Sequence, residues 1–248
     1  MFSFSTFGLK QIVKFHYMKD HPIQNTNIIT YPKSISTSFN LITPFTSPVL
    51  YIEKYVKSPT FKRELTKLAN KFDRFSHLSF YTDGSVTRNE DNIHSKAAAA
   101  WIETSTVSPT EFSCGVNVDF ISSTKAEIMA VLSAIIIAPK DCAIDIYTDS
   151  QNVIMTYNYI NMNNILNYPK ECFKTQYIDL WYALFDVILY NDLMLTFHKI
   201  KAHARNSNNN HVDLLTKDAL DCEPMNINII NSIYNVTSKF YNTIITTL

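Results

Sequence analysis

The chain predicts an α/β fold: a five-stranded mixed sheet, three antiparallel strands followed by parallel ones, flanked by helices. Two observations carry that expectation. Strand patterns come first as an uninterrupted group of three, at 78–83, 97–103 and 111–118, and two more, at 143–148 and 193–200, then alternate with helical patterns. Consecutive strands favour antiparallel pairing, and helix-separated strands favour parallel crossovers. A third observation bounds the class: the longest apolar stretch, around Val131 to Ala138, falls far short of the roughly 20 residues that span a bilayer.

The elements follow in order. Residues 1–57 show no sustained period, with Pro22, Pro32, Pro44 and Pro48 scattered among Ser, Thr and Asn, and read as irregular. From 59 to 73 Phe61, Leu65, Leu68 and Phe72 recur at helical spacing, with Ser58 as N-cap and Pro59 as first helical residue. Strand 78–83 ends on Asp83; strand 111–118 alternates Phe112, Cys114, Val116 and Val118 with period two. Thr124 to Ala138 is apolar, without Pro or Gly, and reads as a helix. Strand 143–148 leads into Asp149, and helices are expected over 152–160, 176–190 and 212–220. A tail from Met225 to Leu248 is compatible with an amphipathic helix through Ile230, Ile233, Tyr234 and Ile244. The expected organisation is a basic N-terminal extension (1–75), a catalytic unit (76–221) and a C-terminal tail (222–248).

Zero net charge hides an asymmetry. Residues 1–75 carry 11 Lys and Arg against 4 Asp and Glu, whereas 76–248 carry 11 against 18. The basic segment is a candidate for phosphate contact, with a solvated face as the equal alternative. Cys114, Cys142, Cys172 and Cys222 are too widely spaced for a zinc site or disulfide framework, which favours a reduced, intracellular setting. Nothing at the start reads as a signal peptide, because Lys10, Lys14 and Lys19 break any apolar run. A soluble protein without membrane association is expected, and its oligomeric state is not legible.

Four acids stand in short, ordered settings: Asp83 in Tyr81-Thr82-Asp83-Gly84-Ser85, Glu127 in Thr124-Lys125-Ala126-Glu127, Asp149 in Tyr147-Thr148-Asp149-Ser150-Gln151, and Asp213 in His211-Val212-Asp213. Carboxylates gathered from distant parts of a chain repel one another and call for a cation. Hard oxygen donors favour magnesium or manganese, and hence phosphoryl chemistry.

With Asp179-Leu180-Trp181 and Lys201-Ala202-His203, these motifs resemble type 1 ribonuclease H, and more narrowly the ribonuclease H domains that accompany reverse transcriptases in retrotransposons. The resemblance spans about 76–221 and implies a ribonuclease H-like fold. It implies cleavage of the RNA strand of RNA/DNA hybrids with two Mg2+ ions, Mn2+ being an alternative, to leave 5′-phosphate ends. Asp83 would bridge both ions, Asp213 would help hold the ion that activates water, and Glu127 with Asp149 the ion at the leaving oxygen. His203 matches a histidine that shuttles a proton or assists product release. Gln151 and Asn89 fall at groove and backbone contacts, while Ser123 and Thr124 replace paired asparagines common in bacterial relatives. The implied partners are an RNA/DNA hybrid and a reverse transcriptase in a parent element.

The chain departs from the pattern in two places: Val86 to Asp91 replaces a glycine-rich turn, and the basic protrusion is reduced to Lys170 and Lys174. A non-catalytic nucleic-acid-binding descendant of a retroelement therefore stands as the alternative. Asp213 also has a capping reading at the start of its helix. His94 and His198 offer no constellation, and Trp181 reads as core.

Overall fold

The computed structural model describes residues 47–88, 95–117, 122–163, 166, 174–201 and 206–228. Its sheet runs β3-β2-β1-β4-β5, with β1 (His77–Thr87), β2 (Lys96–Glu103), β3 (Thr110–Val116), β4 (Ala143–Thr148) and β5 (Met194–Lys199). The first three strands pair antiparallel, and β4 and β5 join β1 in parallel. This is the mixed sheet the sequence predicts.

Around it lie α1 (Ser47–Tyr55), α2 (Pro59–Phe72), α3 (Ser123–Ile135), α4 (Gln151–Asn163), α5 (Ile178–Tyr190) and α6 (Ser207–Asp218). Helix α3 packs on β1 and β2, with α5 behind it. Every residue from Ala126 to Ile135 is buried, which fits a stretch that is apolar except for Glu127 and Ser133. The opposite face of β1 and β2 is covered by α6 through Val212 and Leu215, against Ala100, Ile102 and Tyr81. Strand β2 is thus closed on both faces, and its run Ala97–Ala100 is buried throughout. Alanine there lets a helix approach the strand from either side. No helix among the described residues is long and apolar enough to cross a membrane.

Three local expectations are corrected. Part of the stretch expected to be irregular is α1, which buries Tyr51, Ile52 and Tyr55 in the main core. Pro48 lies in its first turn, where a missing N–H costs no hydrogen bond. Ser58 occupies the N-cap position of α2, yet its hydroxyl donates to Glu223 at 3.3 Å instead of capping. Helix α6 starts five residues earlier than expected, because Asn206 accepts from the N–H groups of Asn208 and Asn209. The asparagine run that reads as a turn is therefore a cap and a first turn.

Segments on either side of the sheet sequence share its core. Helix α2 buries Phe61, Leu65, Ala69 and Phe72. The start of the tail is extended, not helical: Met225 is buried, Ile227 bridges Val56 and Pro224 bridges Gly115. A Cβ on Gly115 would lie 2.4 Å from the Cys222 carbonyl oxygen, so only glycine admits this contact. Residues 229–248, with the rest of the tail expectation, lie outside the described residues, as do 1–46.

Candidate active site

Two strands carry the same tripeptide to the same height. Tyr81 of β1 pairs with Tyr147 of β4 in parallel register. Asp83 and Asp149 each follow two residues on, so period-two alternation returns both carboxylates to one face at one end of the sheet. Thr82 and Thr148 point the other way and are buried. The Thr148 hydroxyl accepts from Ser150 N–H at 3.0 Å, which turns the chain into α4 at Gln151.

Glu127 arrives from above the sheet. Ser122 caps α3 by accepting from Lys125 N–H at 3.2 Å, and the helix then lies against β1 at Gly84. A Cβ on Gly84 would stand 2.4 Å from the Glu127 nitrogen and 2.6 Å from the Ala126 carbonyl carbon. The absence of a side chain there is what brings Glu127 beside Asp83.

Asp83, Glu127 and Asp149 each offer a carboxylate oxygen, and these oxygens lie within 4.8 Å of one another. Glu127 is 6% exposed, and its Oε2 has no hydrogen-bond partner among the described residues. Burial pushes the Glu127 carboxyl well above its usual range, repulsion from Asp83 and Asp149 adds to this, and the Gly84 N–H and Lys199 oppose it. Burial likewise raises Asp83, with Asp149 and Asp213 adding repulsion and Thr216 opposing. The Thr216 hydroxyl lies within reach of both Asp83 and the Val212 carbonyl, the latter at 2.7 Å. An orphaned, buried carboxylate oxygen among three hard donors fits a divalent ion such as magnesium or manganese.

Asp213 stands apart from this trio. It lies in the second turn of α6, near enough to repel Asp83, and its Oδ2 accepts from Lys217 at 2.7 Å. The capping alternative is corrected, since Asn206 holds that position. Ser123 (exposed) and Thr124 (half-buried) open α3, and Gln151 (exposed) opens α4, so all three stand at helix N-termini beside the acids. Asn89 and His203 lie outside the described residues. His211 faces Glu111 at 3.2 Å on the surface, and Trp181 is core as expected.

Three residues here carry no local sequence signal: Gly84 for its contact with α3, Thr216 and Lys199. The expectation that His198 offers no constellation is corrected, because strand register sets it beside Asp145 and Tyr147. His198 and His77 both bond Asp145, at 2.7 and 2.8 Å. Beside them, the rings of Tyr81, Tyr147 and His198 stack in a row across three strands, 4.7 and 4.6 Å apart.

The RNase H family model matches residues 76–221. That span holds the five strands and all the acids of the site, and more than half of the chain, which therefore belongs to the RNase H family. A ribonuclease H of Chlorobium chlorochromatii is 27% identical over 105 residues, covering 40% of this chain and 68% of that protein. One of Clostridium botulinum is 32% identical over 101 residues, covering 38% and 64%. Among solved structures, the foamy viral protease-reverse transcriptase in complex with dsDNA has a TM-score of 0.45 at 21% identity, covering 60% of this chain and 97% of that one.

Proposed function

We propose that this protein is a metal-dependent endonuclease that hydrolyses the RNA strand of RNA/DNA hybrids. The observation that carries the proposal is the convergence of Asp83, Glu127 and Asp149 within 4.8 Å, with one oxygen of Glu127 buried and unpartnered. Asp83, Glu127 and Asp149 would hold Mg2+ or Mn2+, with Asp213 adjoining. Bound there, divalent ions supply Lewis acidity for attack of water on phosphorus and for departure of the 3′ oxygen. The new bond joins water oxygen to phosphorus and the P–O3′ bond breaks, so the products carry a 5′-phosphate and a 3′-hydroxyl.

The chain's own residues set up that reaction. The register of Tyr81 with Tyr147 sets Asp83 and Asp149 near each other, and Glu127 joins them from the helix, so the three would hold the ion together. The N-termini of α3 and α4 present Ser123, Thr124 and Gln151 with partly positive backbone amides, which suits phosphate oxygens. Asn89 is proposed to contact the hybrid and His203 to move a proton, on the motif resemblance alone. The same resemblance supports a retroelement setting with a reverse transcriptase, and the wide spacing of the cysteines supports an intracellular one.

Incubation of the purified protein with a labelled hybrid, with and without Mg2+, tests the proposal. Cleavage is expected only with metal, and Asp149→Asn should lower it by more than about a hundredfold. Cleavage that persists in Asp149→Asn removes the site assignment. Hybrid binding without cleavage under any divalent ion favours the non-catalytic module.

The basic N-terminal segment enters through α2. Lys62 pairs with Glu53 at 2.5 Å and Lys71 donates to Thr110 at 2.5 Å, whereas Arg63 and Lys67 are exposed. Since α2 belongs to the core, its removal would test folding more than binding. Charge reversal of Arg63 and Lys67 together is the cleaner test: it should weaken hybrid affinity and lower the salt slope by about 2. An unchanged slope assigns these residues to a solvated face.

A further inference from the structure

Lys199 is the last residue of β5, paired with Thr148, which precedes Asp149. The Ile200 N–H donates to the Thr148 carbonyl at 3.0 Å and locks this end of the strand pair. Along β5, Lys199 shares a face with Phe197, which packs against the main core beside Tyr157 of α4. Its strand partner Thr148 is buried on that same face, so the lysine leaves the sheet on the side from which Glu127 descends. Its ammonium donates to the Asp149 main-chain carbonyl. It is also close enough to Glu127 to favour that carboxylate's charged form.

We propose, resting on the metal-site reading above, that Lys199 is a resident counter-cation of the carboxylate site: a positioning residue that anchors Asp149, offsets acid repulsion before metal arrives, and competes with divalent ions for Glu127. A charge tethered by a side chain differs from a bound ion in one respect that matters. It cannot leave, so its repulsion of an incoming dication persists, and each divalent ion binds against it. The site is thereby tuned for weaker metal affinity in exchange for a steadier metal-free fold. Lys217, on α6, is engaged by Asp213 and is near enough to interact with Asp83 as well. It is a second cation of the site, set toward Asp213 and Asp83, whereas Lys199 is set toward Glu127 and the Asp149 carbonyl.

The test uses the full chain with Mg2+ or Mn2+ alone and no nucleic acid. Lys199→Met removes the charge at similar size, and Lys199→Arg keeps it. The Met variant should unfold at lower temperature than wild type without metal, and should show a larger metal-induced rise in Tm. Its divalent-ion Kd by calorimetry should fall roughly threefold to tenfold. The Arg variant should behave as wild type. A lysine that merely ties down the Asp149 carbonyl would lower Tm equally with and without metal, so an unchanged metal-induced rise, or a weaker Kd in the Met variant, overturns the inference and leaves the nuclease reading intact. A wild-type chain that takes up no divalent ion overturns both.

Discussion

Two carboxylate environments share one face of the same sheet, and they behave in opposite ways. At the end where β1 and β4 deliver Asp83 and Asp149, acids face acids, and burial with mutual repulsion raises Asp83 and Glu127. Four residues back along β4, Asp145 faces two imidazoles. Its hydrogen bond with His198, with His77 adding to it, holds the carboxyl below its usual range against the opposing effect of burial. The difference separates a carboxylate set between two imidazoles from carboxylates set chiefly against one another. Proteins gather like charges at a cost to stability, and such clusters concentrate where chemistry is done.

Three substitutions can break or sharpen this contrast. The largest effect is expected at Glu127. Glu127→Gln should lower hybrid cleavage by more than about a hundredfold, and yet the metal-free variant should be more stable than wild type at neutral pH. The sign follows from linkage: a carboxyl raised in the folded state contributes stability fully present below its ordinary value of 4.5 and lost as pH rises through the raised value. The advantage of Gln should therefore shrink as pH falls toward 4.5 in thermal unfolding without metal. A metal-free variant less stable than wild type at pH 7 would refute the account of stored repulsion.

Next in size is Gly84→Ala. The added methyl would meet backbone atoms of α3, which cannot swing aside as a side chain can. Overpacking of this kind costs about 1–3 kcal/mol, and moving Glu127 should depress cleavage further than stability alone explains. Denaturant unfolding and cleavage on one preparation separate the two; normal activity at normal stability would mean that α3 is not seated by this glycine.

The smallest effect belongs to Asp145→Asn, at less than about 1 kcal/mol for a partly exposed ion pair. Its sign is opposite to that of Glu127→Gln. A carboxyl lowered in the folded state contributes stability present above its ordinary 3.8 and lost as pH falls through the lowered value. The variant should thus be slightly less stable than wild type near neutrality, with the gap closing in acid. A variant that gains stability at pH 7 would erase the contrast.

The sheet was legible because its strands keep clean periods and the repeated Tyr-Thr-Asp declares two strands that deliver acids alike. The trio at the site followed from that repeat and from an uninterrupted apolar helix bearing Glu127. What escaped depends on register or on rivalry between local structures. Asp145 lies 68 and 53 residues from its two histidines, and only the β1-β4-β5 register brings them together. An asparagine run serves a turn and an N-cap equally well, so composition alone does not tell that Asn206 caps α6 and that the run is its first turn. Helix α1 is too short to show a sustained period, and Pro48 within it and Pro44 just before it argued against it. Lys199 gave no local sign, since its contact crosses between neighbouring strands.

The alanine run of β2 has a reach beyond the core. Ala99 belongs to the packing on the α3 side and Ala100 to that on the α6 side, and both are wholly buried. The strand therefore acts as a shim whose thickness, one methyl on either side, sets how far apart the helices bearing Glu127 and Asp213 are held. Thickening it by an isopropyl group at position 99 would lift one acid away from the sheet; at position 100 it would lift the other. Spacing among the acids is thus gauged by residues of the neighbouring strand's interior.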